Sequence, residues 1–489
     1  MTDEDFQAWL LSPAALRVVL VEVGVYDSST STETTRYLSN RGYVTSPTDT
    51  PSNVSYLPII NGGISLQEKL RLDSAPSISW GDIEIVNSDG AYDSWLDDVW
   101  SGRPLAIYVG DATWPRADFV QIFQGVTDDI SARSRDYINL KIRDKLDMLN
   151  SAMSEAKLGG TGPNKDALLP LCFGECHNVE PLLVDSALLK YKVHNGPIEN
   201  IIEVRDNGAP VLYAATLATG EFTLAASPVG TITCSVQGAK PSTYLKSIAN
   251  IISHIATNYG TTSLSPTEID TASFSAFDAA HPQAVGIYLD GKSNVLEVCN
   301  NLAASVGGQV AMTRLGKLQL LKVSLPTGTA VDESTQVDML ERSLNITERL
   351  KLKAAINIGY CKNWTVQQNL PTGLMPEHIE LFAKEWLEAK VENSAVATLH
   401  KLSAEVDRID TYLLTTADAT AEAARRLAMA SVQLNVVEFE APAYKFNLKL
   451  GDSHKITHPR FGLSGGVTGQ IVGLAPDWIK ARVKVEVLL

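Results

Sequence analysis

The chain has no uninterrupted apolar run of the roughly eighteen residues that a helix needs to cross a bilayer. Its most apolar early stretch, Ala14 to Val25, carries Arg17 and Glu22 and reads as a strand. The first residues, Met1 to Trp9, are acidic and polar, where a secretory leader would show a basic segment followed by an apolar one. Neither secretion nor membrane insertion is expected. Basic residues are also short: 41 Lys and Arg stand against 56 Asp and Glu, a formal net charge of −15. Without a basic excess the chain lacks the charge that a phosphate backbone attracts, which argues against sequence-specific nucleic-acid binding. Cysteine is sparse. Cys172, Cys176, Cys234, Cys299 and Cys361 are odd in number and widely scattered, so no disulfide framework follows and a reducing compartment fits. No phosphate-binding loop and no dinucleotide fingerprint occur, which leaves a nucleotide-driven function without support.

Hydrophobic residues make up 45% of the chain and charged residues 20%, outside the regime of intrinsic disorder. With 489 residues the chain exceeds one compact core, and about three or four domains are expected.

From Leu16 to about Ile142 short period-two patterns alternate with Gly, Pro, Asp and Asn, the signature of a β-barrel or sandwich. Ile83 and Ile85 alternate with Asp82 and Glu84, and Asp89-Gly90 supplies a turn. Trp95, Leu96, Val99 and Trp100 have the spacing of one face of a short helix ended by Gly102 and Pro104, expected to plug one end of the barrel. The Ser28–Pro58 connection, rich in Ser, Thr, Asn and Pro, reads as an arm ordered by a partner. Gly159 to Asn164 marks a boundary. Beyond Pro241 the period turns helical twice, at Leu245, Ile248, Ile251, Ile252 and Ile255 and at Val295, Leu296, Cys299 and Leu302. A hairpin turned at Gly316 follows. Strand signals return around Leu352 to Tyr360, then helical character at Glu377 to Lys390 and a helix from about Asp418 to Met429. The closing strands alternate at Tyr444, Phe446, Leu448 and Leu450 and at Val483, Val485 and Val487.

The expected fold is therefore mainly β with α+β inserts. A first β-barrel domain spans 1–158, a small β module 159–240, an α+β module 241–330, and a second β-barrel with inserted helices 331–489.

Each motif that could carry chemistry has a plainer reading. Gly462-Leu-Ser-Gly-Gly466 matches the G-x-S-x-G pattern of a nucleophile elbow, but strand signals follow it and no His lies beyond Ser464. It reads as a glycine-rich hairpin turn. Cys172, Cys176 and His177 could ligate a soft metal, yet no fourth ligand stands at finger spacing, and the thiols read as core packing. His454 and His458 are expected at a surface. The pairs Asp97-Asp98 and Asp128-Asp129 read as solvated turns, since adjacent strand residues face opposite sides. Trp80, Trp95, Trp100 and Trp114 read as core and interface packing.

The order of modules resembles that of the bacteriophage tail-tip and baseplate-hub proteins. The first stretch that carries the resemblance is Trp80 to Leu96 (WGDIEIVNSDGAYDSWL) with Trp100 to Gly110 (WSGRPLAIYVG) and Phe123 to Val126. The second is Val193 to Ile198, Asp206 to Gly208, Gly220 to Leu224 and Pro228 to Cys234. The third is Leu448 to Leu463 (LKLGDSHKITHPRFGL) followed by Gly469 to Val472. The resemblance implies a structural homotrimer in the virion, assembled in the bacterial host cytoplasm. In it two tube-like β-barrels per chain, at the chain ends, form a pseudo-hexameric ring joining a sixfold tail tube to a threefold tip. It implies as partners a distal tail protein, the C-terminus of the tape-measure protein and a central fibre or tip protein, with genomic DNA passing through the lumen. No catalytic residue, cofactor or metal comes with the pattern. Competing readings are a distal tail or other baseplate ring protein, and a tail-associated cell-wall hydrolase.

Overall fold

Alternating burial builds the strands of both chain ends. In Trp80–Val86 the residues Gly81, Ile83 and Ile85 are buried while Asp82 and Glu84 stay partly exposed. In Arg482–Leu488 the buried Val483, Val485 and Val487 alternate with Arg482, Lys484 and Glu486. Such a strand turns one apolar face to a core and one polar face to water. The computed structural model describes residues 2–12, 14–72, 78–326, 328–367, 370 and 373–489. The chain divides into two compact units, Met1–Met148 with Ala311–Leu350 and Leu434–Leu489, and Leu149–Val310 with Lys351–Gln433.

In the first unit the strands form one 15-stranded sheet. From one edge its order is Asn345–Arg349, Asn435–Pro442, Arg482–Leu488, Val467–Asp477, Ile60–Lys69, Trp80–Val86, Tyr137–Asp144, Val120–Ser134, Pro104–Asp111, Arg17–Asp27, Thr32–Ser39, Ser55–Pro58 and Tyr43–Val44. Ser453–Thr457 branches from Val467–Asp477 and pairs in parallel with Asp332–Thr335. The expected mainly β fold is present, but two separate closed barrels are not confirmed. Among the described residues the strands of both chain ends belong to one hydrogen-bonded sheet.

The seam between the two ends lies where Val467–Asp477 meets Ile60–Lys69. Gly473 faces Lys69, Leu474 faces Glu68 and Asp477 faces Ser65. Leu70 N–H donates to the Val472 carbonyl at 2.7 Å, and Lys69 Nζ lies 2.9 Å from Glu486. The Arg314 guanidinium pairs with Glu68 and donates to the Phe446 carbonyl at 2.6 Å.

Three local expectations are corrected here. Ser28–Pro58 is not a free arm, because Thr32–Ser39 pairs with Arg17–Asp27 along its whole length, from Leu20↔Ser39 to Asp27↔Thr32. The Asp27 carboxylate closes the turn by accepting from Ser29 and Thr30 N–H at 3.0 and 3.1 Å. The strand escaped notice because its Thr and Glu side chains face water along most of its length. The segment after Tyr92 is a single 3-10 turn, Asp93–Asp97, with Trp95 and Trp100 buried and Leu96 and Val99 exposed. Tyr444 to Leu450 is not a strand. Ala443–Lys445 is a 3-10 turn, and Phe446, Leu448 and Leu450 bury their side chains from a backbone that belongs to no strand.

In the second unit a five-stranded sheet runs Ala209–Pro210, Ile198–Asp206, Ile232–Ala239, Leu171–Val179, Gly286–Leu289, and a four-stranded sheet runs Leu182–Asp185, Lys190–Lys192, Glu221–Leu224, Tyr213–Thr216. The two helical patterns appear as Ile248–Asn258 and Val295–Ala304, both with buried apolar faces. The stretch from Glu377 splits in two: helix Pro376–Ala383 ends, and Leu387–Glu392 pairs with Ala355–Tyr360. Helix Thr416–Ala430 is capped by Thr415, whose hydroxyl accepts from Asp418 N–H at 3.1 Å. Its buried Glu422 pairs with Arg425 and Arg426, each at 2.6 Å. The same arginines donate to the carbonyls that end helix Val295–Ala304, Arg426 to Ala304 at 2.6 Å and Arg425 to Val306 at 3.3 Å. Cations at a helix C-terminus satisfy its orphan carbonyls and its dipole together.

Candidate functional site

The parallel pairing of Asp332–Thr335 with Ser453–Thr457 brings a hydroxyl, an imidazole and a carboxylate into one row. His454 Nε2 lies 3.0 Å from Ser334 Oγ, and His454 Nδ1 lies 3.3 Å from Asp332 Oδ2. The order is that of a nucleophilic relay, which the sequence did not reveal because Ser334 and His454 are far apart in the chain. Two observations decide its chemistry. Ser334 and His454 are both 0% exposed, so no acyl group reaches the hydroxyl. The Asp332 carboxylate is also engaged by Lys445 Nζ at 2.7 Å, and that ammonium donates a second hydrogen bond to the Glu333 carbonyl at 2.7 Å. Although Nδ1 is close to the carboxylate, it makes no aligned hydrogen bond. Burial brings the His454 pKa down to about 4, outweighing the pull of Asp332. A neutral imidazole in an apolar wall beside Phe439 ties the 331–338 segment to the terminal strands. This overturns the surface placement of His454: in its strand residues 454 and 456 point inward. His458 lies past the strand end and is only partly buried; its Nδ1 accepts from Arg460 N–H at 3.1 Å.

Ser464 is exposed in the turn between Ser453–Thr457 and Val467–Asp477. Gly462 and Gly466 there adopt φ of 77° and 75°, a left-handed region that glycine enters without strain. Leu463 closes the turn, donating to the Arg460 carbonyl and accepting from Gly466 N–H. The glycine-rich hairpin reading describes this segment.

Cys172 and Cys176 lie on Leu171–Val179 and Cys234 on Ile232–Ala239; all three are buried, free thiols in one apolar cluster with Tyr191 and Phe222. Burial holds the Cys176 and Cys234 thiols well above the usual range, so they stay protonated, and a metal takes the thiolate. His177 instead sits 3.3 Å from Glu175. His194 Nδ1 accepts from Cys172 N–H at 3.0 Å and is held near pKa 4 by burial. Among the described residues no group of three or more His, Cys, Asp or Glu side chains is arranged to hold a metal ion.

Three of the four residues of the acidic pairs meet cations, Asp128 to Arg143 at 3.0 Å, Asp129 to Lys141 at 3.8 Å and Asp98 to Arg36 at 3.2 Å; Asp128 and Asp129 lie within strand Val120–Ser134 and not in the expected turn. The tryptophans form no common platform. Trp95 and Trp100 pack on each other 5.7 Å apart, Trp114 packs on Trp9 at 4.7 Å, and Trp80 is exposed. A further buried group, missed in the sequence because its members are distant, joins Arg116 to Glu22 at 2.7 Å, with Tyr56 OH donating to Glu22 at 2.5 Å.

One edge of the large sheet is exposed. All five residues of Asn345–Arg349 are exposed, and the strand pairs on one side only, with Asn435–Pro442. Ser55–Pro58, towards the other end of the strand order, continues through Ile59 into Ile60–Lys69 in its middle. An unpaired edge is a template for another chain. Among the described residues no helix is long and apolar enough to cross a membrane.

No family model and no curated protein matches the sequence. Among solved structures, the chain is similar over 97% of its length to 96% of the tail protein from Neisseria meningitidis MC58, with 9% identity and a TM-score of 0.42. It is similar over 89% of its length to 95% of a prophage 43 kDa tail protein from Shewanella oneidensis, with 11% identity and a TM-score of 0.43. A prophage tail protein from Listeria monocytogenes is similar over 94% of its own length and 96% of this chain, with 9% identity and a TM-score of 0.33.

Proposed function

We propose that this chain is a structural, non-enzymatic subunit of a phage tail tip, the hub that joins a sixfold tail tube to a threefold tip and forms part of the DNA-ejection channel. The observation that carries the reading is the single sheet in which strands from both chain ends lie side by side, with the edge strand Asn345–Arg349 exposed. Each copy thereby offers two β blocks in a row, and three copies laid rim to rim offer six. The sequence stretches that resemble hub proteins at Trp80 to Gly110 and at Leu448 to Leu463 fall in these two blocks.

In this reading the chain is a homotrimer in the virion, in contact with a distal tail protein, the tape-measure C-terminus and a central fibre or tip protein. Acidic side chains on the channel wall keep DNA from adhering during ejection, because like charges repel. Counting copies per tail by quantitative mass spectrometry tests the assignment: three copies are expected, and six would identify a ring protein instead. The burial of Ser334 speaks against a hydrolase. Incubation with peptidoglycan is expected to leave it intact; cleavage lost in Ser334→Ala or Ser464→Ala would overturn the structural reading.

A further inference from the structure

We infer that a small basic pocket at the seam of the 15-stranded sheet binds a compact oxyanion, a carboxylate or a phosphate. The pocket, about 350 Å³, is lined by Arg17, Asn40, Arg41, Ile60, Gly62 and Ile479. Two of these are arginines and none is acidic, in a chain whose formal net charge is −15.

Arg17 Nη2 donates to the carbonyls of Leu10 at 2.9 Å and Ser12 at 3.5 Å, partners that place the guanidinium without neutralising it. Its Nε is buried and has no hydrogen-bond partner. Arg41 has no ion-pair partner among the described residues. Asn40 Oδ1 accepts from Val19 N–H at 3.0 Å, which fixes the amide and leaves its NH₂ group as a donor. Gly62 adopts φ 65°, and a Cβ there would meet no atom within 4 Å, so the backbone beside the arginines is open. Ile60, 7% exposed, supplies an apolar wall that strengthens the field of the two cations. The carboxylate nearest in sequence to the lining, Asp477, lies against Gly63 and is held by Lys480 at 3.1 Å. Two guanidinium cations and an amide donor suit an oxyanion with several acceptor oxygens, and the size suits one carboxylate or phosphate group.

The lining comes from both chain ends, Arg17 to Gly62 on one side and Ile479 on the other. An anion seated there ties the two β blocks together, and an acidic side chain of a docking protein would recognise the seam only when both blocks are in place.

The test is thermal unfolding of the full chain with inorganic phosphate, and separately with a capped peptide whose one charged side chain is a Glu, each against chloride at equal ionic strength. Wild type is expected to melt higher in at least one of the two. Arg41→Gln, a change at an exposed residue, is expected to weaken the apparent affinity about tenfold, the loss of one charge-assisted contact. Arg41→Lys, which keeps the charge and loses the fork, is expected to fall between them. A response to phosphate alone, to the peptide alone or to both identifies the source of the oxyanion. No rise with either anion, or an equal rise in wild type and Arg41→Gln, overturns the inference.

Discussion

At the scale of single residues, the polar groups that sequence reading singles out for chemistry are here structural members, and burial is what separates the two roles. His454 illustrates it. Its position in an alternating strand was legible, but its inward face was not, because the face opposite the polar Lys455 and Thr457 pairs the apolar Ile456 with a histidine, which suits core or surface. Packing against Phe439 settles the matter. The consequence is a pH dependence of known sign. His454 has a folded pKa near 4 against 6.5 when exposed, so the unfolded chain binds the proton more readily, and the folded state loses stability as pH falls from about 6.5 towards 4. His194 titrates in the same direction, while Asp144, buried and raised to about 7, acts oppositely, and its burial costs stability progressively as pH rises from about 3.8 towards 7. A difference measurement isolates the first. Urea unfolding of wild type and His454→Gln at pH 7 and pH 5 is expected to show the cost of the substitution shrinking at the lower pH, and a cost independent of pH would refute the buried neutral imidazole.

At the scale of elements, helices whose apolar spacing is clean were legible nearly to their ends: Val295–Ala304 and Thr416–Ala430 follow from Leu296, Cys299 and Leu302 and from the acidic start and basic end around Asp418 and Arg426. Elements that expose a polar face were not, as Thr32–Ser39 shows, since hydrogen bonds to Arg17–Asp27 rather than apolar alternation define that strand. What joins elements lay outside the sequence pattern as well. Arg425 and Arg426, on helix Thr416–Ala430, close the end of Val295–Ala304. Glu422, 6% exposed, holds both arginines in place. Removing one partner of a buried ion pair leaves the others uncompensated, which costs about 3 kcal/mol. Glu422→Ala is thus expected to lower the denaturation midpoint strongly, and more than Glu380→Ala, whose pair with Lys384 is exposed and screened by water. Equal effects of the two substitutions would show that the arginine clamp contributes nothing beyond a surface pair.

At the scale of the whole molecule, the proposed ring depends on the rims of the sheet. Asn345–Arg349 carries one exposed apolar residue, Ile346, 43% exposed, in an otherwise polar strand. A lysine on an edge strand opposes pairing with another chain, so Ile346→Lys is expected to shift native mass spectra from trimer to monomer with the melting temperature of the monomer unchanged. A trimer that persists in this variant would move the subunit contact elsewhere. Composition and periodicity were enough to determine a mainly β chain with helical inserts and strands at both ends, because alternation and helical spacing are local properties that each segment carries by itself. They could not show that the two ends share one sheet, that Ser334, His454 and Asp332 converge, or that Arg17, Arg41 and Ile479 line one pocket. Those are long-range contacts, set by which backbone edges pair and which faces exclude water, and they exist only once the chain has closed upon itself.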